Sequence, residues 1–150
     1  MPWIGMIGPQ KEYDRVYASV YNNEASAAIP AGGACCFQSA APPTGFVYGR
    51  TVIKPITADL NLFAGLAAET SPSTLGIPAK TWGRIIVWGV VEEAYVDGGT
   101  TNIAVGDRMI PTNASFYLNA PVATVGAGWV FAMEAQASTS VTGRVFVRAM

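Results

Sequence analysis

The plainest pattern in the chain lies near its end, where Val145, Val147 and Ala149 alternate with Arg144, Phe146 and Arg148. A period of two belongs to a strand with one face on a core and the other toward solvent. Residues 143–149 therefore predict a half-buried strand whose removal would destabilise the fold. Residues 82–96 behave differently, being apolar on both parities. Alternation places Ile86, Trp88 and Val90 on one side, and Ile85, Val87 and Val91 on the other. Such a strand is either central, with its second face covered, or presents that face to another subunit. Gly89 within it signals a bulge or a close backbone approach.

Elsewhere short apolar segments rich in Val, Ile, Thr, Phe, Tyr and Trp predict strands over 13–21, 34–39, 46–52, 62–67, 108–112, 116–118 and 129–135. Turn chemistry separates them, at Asn22-Asn23, Pro42-Pro43-Thr44-Gly45, Asp97-Gly98-Gly99 and Gly106-Asp107 among others. Tyr13, Tyr17 and Tyr21 recur at a spacing that suits one face of a helix or of a strand. Val16, Val20 and the Asn-Asn stop favour the strand. The expected fold is all-β, an antiparallel β-sandwich or barrel-like domain over 13–150, preceded by an extended N-terminal arm over 1–12. That arm carries Trp3, Ile4, Met6 and Ile7 between Gly and Pro residues, and it either folds back on its own domain or docks on a neighbour. Residues 22–33 and 98–107 share a plan: a polar turn, an Ile, small residues and a Gly-centred turn into an apolar strand. They fit two pseudo-equivalent hairpins, but a single pair this short is better explained as common turn vocabulary.

Composition narrows the function. The chain of 150 residues is 51% hydrophobic and 13% charged and has no histidine, whereas a soluble domain carries about 25% charged residues. Its surface is therefore polar without being charged, and cheap to desolvate. Nine basic and ten acidic residues nearly cancel, which gives no footprint for direct nucleic-acid binding or for a polybasic membrane contact. The apolar run 85–91 is far shorter than the roughly 18 residues of a transmembrane helix. The N-terminal segment lacks the basic region and cleavage site of a secretion signal. Cys35 and Cys36 are adjacent, so on a strand they point apart and neither bridge each other nor share a metal; they read as small buried hydrophobes.

Without histidine there is no Ser-His-Asp or Cys-His pair and no imidazole metal ligand. Glu92 and Glu93 point to opposite faces of a strand and mark where it emerges into solvent, not a glycosidase pair. Asp107 is expected to cap its own turn, and calcium held by Asp97, Asn102 and Asp107 has no EF-hand spacing behind it. No Gly-rich segment matches a nucleotide loop, so no cofactor is expected. An enzyme would instead show a deep pocket lined by Glu92 or Glu134 with Asp107. Trp88 and Trp129 are expected to fill the core, with Trp3 and Trp82 at its edges.

Leu62-Phe63-Ala64-Gly65-Leu66-Ala67, then residues 83–89, then Ile103-Ala104-Val105-Gly106-Asp107 and the closing residues 145–150 resemble the capsid decoration, or cement, proteins of tailed bacteriophages. The resemblance spans roughly residues 20–150. It implies a β-rich virion protein, made in the host cytoplasm, that binds the outside of the assembled head and bridges major capsid protein subunits. It also implies attachment as a homo-oligomer without catalysis. The contacts would come from Trp3, Ile4, Met6 and Ile7 in the arm, from Tyr13 and Tyr17 after it, and from Trp82 and Trp88 on an exposed face of the long strand. Two other readings suit the same residues. One is a carbohydrate-binding β-sandwich, whose Trp and Tyr rings would line an exposed groove; the other is a tail or baseplate component.

Overall fold

The computed structural model describes residues 15–68, 76–97, 102–119, 130–137 and 141–149. All described regular structure is β: β1 (Val16–Asn22), β2 (Ala34–Phe37), β3 (Thr51–Ile53), β4 (Phe63–Ala67), β5 (Trp82–Tyr95), β6 (Arg108–Pro111), β7 (Leu118–Asn119), β8 (Val130–Ala132) and β9 (Thr142–Arg148). Each overlaps an expected segment, β7 only at Leu118. β3 begins only at Thr51, because Gly45 (φ 88°) and Gly49 (φ 78°) turn the backbone out of the extended region across the rest of 46–52. The arm over 1–12 and Tyr13 lie outside the described residues, as does Trp129.

β1, β3, β2, β4 and β5 pair in that order, and β5 returns to β1, so five strands close into a barrel. Closure removes the sheet edges that would otherwise offer unpaired backbone groups to another chain. All pairings in the ring are antiparallel except β1 with β3. Inside it pack Val20, Cys35, Val52, Ala67, Ile85 and Val87, with Ile29 and Ile77 closing one end.

The rest of the sheet repeats this plan. β5 pairs onward to β9, β8, β6 and β7, and the parallel bridge Val96–Leu118 brings β7 back to the end of β5. Strands β5 to β9 thus occupy the roles of β1 to β5, and β5 serves in both rings. Correspondence extends to single bonds. The amide of Asn23 donates to the Val52 carbonyl (2.9 Å) as that of Asp97 does to Leu118 (2.8 Å); Gly32 donates to Ala67 as Gly106 does to Ala132, both at 2.8 Å. Ile29 bridges Ile77 as Ile103 bridges Gln136. Sequence echoes this too, in Gly83-Arg84-Ile85-Ile86-Val87 and Gly143-Arg144-Val145-Phe146-Val147. Gly83 lies against Ile77, and Gly143 against Gln136. Over its described part, 102–107, the similarity to 22–33 is therefore part of a structural repeat and not shared turn vocabulary. It was the fragment visible where most side chains have diverged.

Two bulges in β5 explain its double-sided apolarity. Val16 faces Trp88 while Tyr17 faces Ile86, which leaves Val87 as an extra residue. Ile86 and Val91, five positions apart, consequently share the second core with Val145, Val147 and Met109, whereas Ile85 and Val87 lie in the first. Strict alternation would have separated Ile86 from Val91. The second face of β5 is covered from within the chain. A second extra residue falls between Val91 and Ala94, so Glu92 and Glu93 sit in a bulge of a strand that continues into the buried Ala94. They do not mark its exit. β9 keeps its expected alternation, Val145 and Val147 buried and Arg144 and Arg148 exposed.

Candidate functional site

Two aromatic clusters reach the surface, one on each barrel. On the first, the pair Tyr21–Trp82 joins β1 to β5, and Phe46 from the loop over 38–50 lies 4.2 Å from the Tyr21 ring and 5.9 Å from Trp82 between centroids. Trp82 stays 52% exposed, and Val47 and Tyr48 on the same loop are more exposed still. Next to these rings the Lys80 Nζ donates to the Asn23 backbone oxygen (2.8 Å) and Oδ1 (2.7 Å), and the Asn23 Nδ2 donates to the Gln38 Oε1 (2.8 Å). Buried Asn22 fixes this end of the barrel: its Nδ2 donates to the Ile77 carbonyl (2.8 Å) and its Oδ1 accepts from the Glu24 amide. A buried amide left without those partners would be costly.

On the second barrel the outward row runs across four strands as Val90, Phe146, Phe131 and Arg108, each opposite the next. Trp88 meets Phe146 edge-on at 5.1 Å and remains 39% exposed. Trp88 does not fill the core, because the extra residue Val87 turns it outward past the barrel wall. Exposed Met133 continues the surface beside Arg144, and Arg148 faces Trp88 across the β5–β9 ladder. The Arg108 guanidinium lies over the Phe131 ring. Of the expected contact residues, Trp82 and Trp88 are thus both at the surface but in different clusters. Tyr17 is half-buried beneath the Arg84 guanidinium, 4.9 Å above its ring. Trp3, Ile4, Met6, Ile7 and Tyr13 fall outside the described residues. Phe46 lies in a loop and not in the strand expected over 46–52; the glycines at 45 and 49 are the sequence signal for that loop.

Glu92, Glu134 and Asp107 are engaged in local structure. Glu92 pairs with Arg144 (2.6 Å), the only salt bridge among the described residues. Glu134 accepts from the Arg144 amide (2.8 Å) and from the Gln136 side chain (3.0 Å), which hold its carboxyl below the usual range. Asp107 Oδ2 accepts from the Ala104 amide (2.8 Å), the expected cap of its own turn. Burial, reinforced by Asp59, pushes the Cys36 thiol up to about 12, and burial drives Cys35 higher still. Both are free thiols in the interior.

A cavity of about 200 Å³ opens between the barrels, bordered by Arg15, Gly32, Glu92, Glu93 and Tyr95. Asp107 and Glu134 are not on it. Among the described residues no three His, Cys, Asp or Glu side chains gather as metal ligands, and no helix is long and apolar enough to cross a membrane. No protein-family model matches the chain, and no curated protein matches it either.

Proposed function

We propose that the protein is a decoration protein of a tailed-bacteriophage head, attached to the outer surface of the major capsid protein lattice. The observation that carries this reading is the outward row of the second barrel, where Trp88, Phe146, Phe131 and Met133 form a half-exposed apolar surface edged by arginines. Covering such a surface gains about 25 cal/mol per Å² of apolar area, less the entropy of association. Repetition over a shell multiplies contacts that are individually weak. A closed barrel suits the task, since it offers a rigid face without loose strand edges. The arm over 1–12 supplies a second point of attachment, and no catalytic step belongs to the function.

The test uses the full chain and heads purified from the phage whose genome carries its coding sequence. The protein should be found on intact particles by mass spectrometry, and added protein should co-sediment with heads that lack it. W88S and F146S should lower occupancy at least tenfold while leaving the melting curve near that of the parent, and deletion of residues 1–12 should lower it further. Absence of the protein from purified particles would overturn the reading. Unchanged occupancy of W88S and F146S would remove this face from it.

A further inference from the structure

The repeated architecture singles out one surface that the fold does not require. Trp82 and Thr142 hold equivalent places, each directly before the Gly-Arg pair and each exposed; Trp82 faces Tyr21 as Thr142 faces Tyr95. A threonine therefore satisfies this position of the scaffold. The loop that brings Phe46 to Trp82, over 38–50, is also much longer than its counterpart over 112–117. The first barrel has been given an aromatic surface and a loop to support it, beyond what closing a barrel needs.

Beside that surface stands a row of hydrogen-bond donors with capacity to spare. Gln38, Asn23 and Lys80 are linked side to side through the Gln38 Oε1 and the Asn23 oxygens. Their remaining N–H groups, on the Gln38 Nε2, the Asn23 Nδ2 and the Lys80 Nζ, have no partner among the described residues. The surroundings are cationic. Arg50 gives its carbonyl to the Tyr21 amide, Arg84 follows Trp82 on the same face, and neither these nor Lys80 has a carboxylate partner among the described residues. Two acids lie near by: the Glu24 Oε1 accepts from the Lys54 amide (2.7 Å), and the Oδ1 of buried Asp59 from the Ser39 amide (3.3 Å).

We propose that the Tyr21, Phe46 and Trp82 rings, with the Gln38–Asn23–Lys80 row, form a binding site for a saccharide bearing a carboxylate, a uronic-acid sugar. The C–H face of the pyranose packs on the exposed indole of Trp82. Ring hydroxyls accept from the amide donors, and the carboxylate meets Lys80, a charge-assisted contact. Single-stranded nucleic acid also favours aromatic rings among cations. Here, however, the three rings pack against one another, leaving no slot for an inserted base, and the adjoining donors are side-chain amides suited to hydroxyls. This surface is on the other barrel from the docking row around Trp88, so its failure and the failure of the capsid reading are separate results.

The full chain is titrated, with amide and indole N–H resonances followed by NMR, against oligomers of galacturonate, of mannuronate and of hyaluronan, against cellohexaose as neutral control, and against a twelve-nucleotide oligo(dT). At least one uronate oligomer should shift the Trp82 indole and residues 21–23 and 80–82, and should bind at least fivefold more tightly than cellohexaose. W82T copies the equivalent Thr142 and should stay folded while losing at least tenfold in affinity. K80N suits the left-handed backbone at Lys80 (φ 57°) and should weaken the uronate at least fivefold, and by a larger factor than it weakens the neutral sugar. Rising salt should weaken the uronate complex. No binding by any uronate, equal binding of W82T, or tighter binding of oligo(dT) at the same residues overturns the proposal.

Discussion

Ile85 and Ile86 are neighbours in sequence and lie in different hydrophobic cores, Ile85 inside the first barrel and Ile86 in the second cluster with Leu66, Val91 and Val145. Both are almost wholly buried. One strand is thus a wall common to two interiors, and what happens to one interior is felt by the other.

Ile85→Ala and Ile86→Ala should each cost about 2–5 kcal/mol, the range for truncating a buried isoleucine. Because β5 belongs to both rings, urea unfolding followed by fluorescence and by circular dichroism should give one coincident transition for the parent and for both variants. Two resolved transitions would show that the barrels unfold independently.

Gly83→Ala tests the close approach at the repeated Gly-Arg pair. A Cβ there would stand 2.6 Å from the Ile77 Cγ1, and overpacking of this kind costs about 1–3 kcal/mol. Adding Ile77→Ala should make the double variant less unstable than the sum of the single ones, as a thermal-denaturation cycle would reveal.

The buried thiols set an alkaline limit on stability. With the Cys36 pKa raised from 9.0 to about 12 in the folded protein, the unfolded chain loses its thiol protons first as pH rises. The folded state then binds more protons, so stability falls above pH 9. Cys36→Ala should flatten the decline in urea midpoint between pH 8 and pH 10. At pH 8 a disulfide reagent should leave both thiols untouched until denaturant is added, since the thiolate is the reactive form.

Deletion of residues 142–150 removes β9, the partner of both β5 and β8, and takes Val145 and Val147 out of the second core. The truncated chain should lose cooperative unfolding and expose enough apolar surface to bind a hydrophobic dye. A sharp melt close to that of the full chain would contradict the shared-wall arrangement.

Much of this architecture could be read from the residues alone. Period-two alternation found β9, and Gly, Pro and Asn punctuation found the approximate place of every other strand, because both reflect local geometry. What escaped was set by pairing. The extra residue at Val87 is defined by the partner β1, so its reversal of the buried face could not be inferred from β5 by itself. Taken alone, the sequence of β5 therefore suggests a core position for Trp88, which is in fact 39% exposed. The repeat shows in the sequence at its turns, where Gly32 and Gly106 need positive φ, and at the Gly-Arg pairs that open 83–87 and 143–147; at the bridge, Ile77 in one barrel is replaced by Gln136 in the other. Of the two surface clusters, Trp82 and Trp88 were singled out, but their separation followed from the bulge. Phe46 joined Trp82 through a loop that looked like strand.

The strand common to both barrels also means that no linker joins the halves. Tandem repeats are usually strung on flexible tethers and can swing, be trimmed or be exchanged singly. Here the hinge is replaced by backbone hydrogen bonds along β5, so the Trp82 surface and the Trp88 surface are held at one angle. The chain is a fixed bracket: whatever fastens one face decides the direction in which the other points.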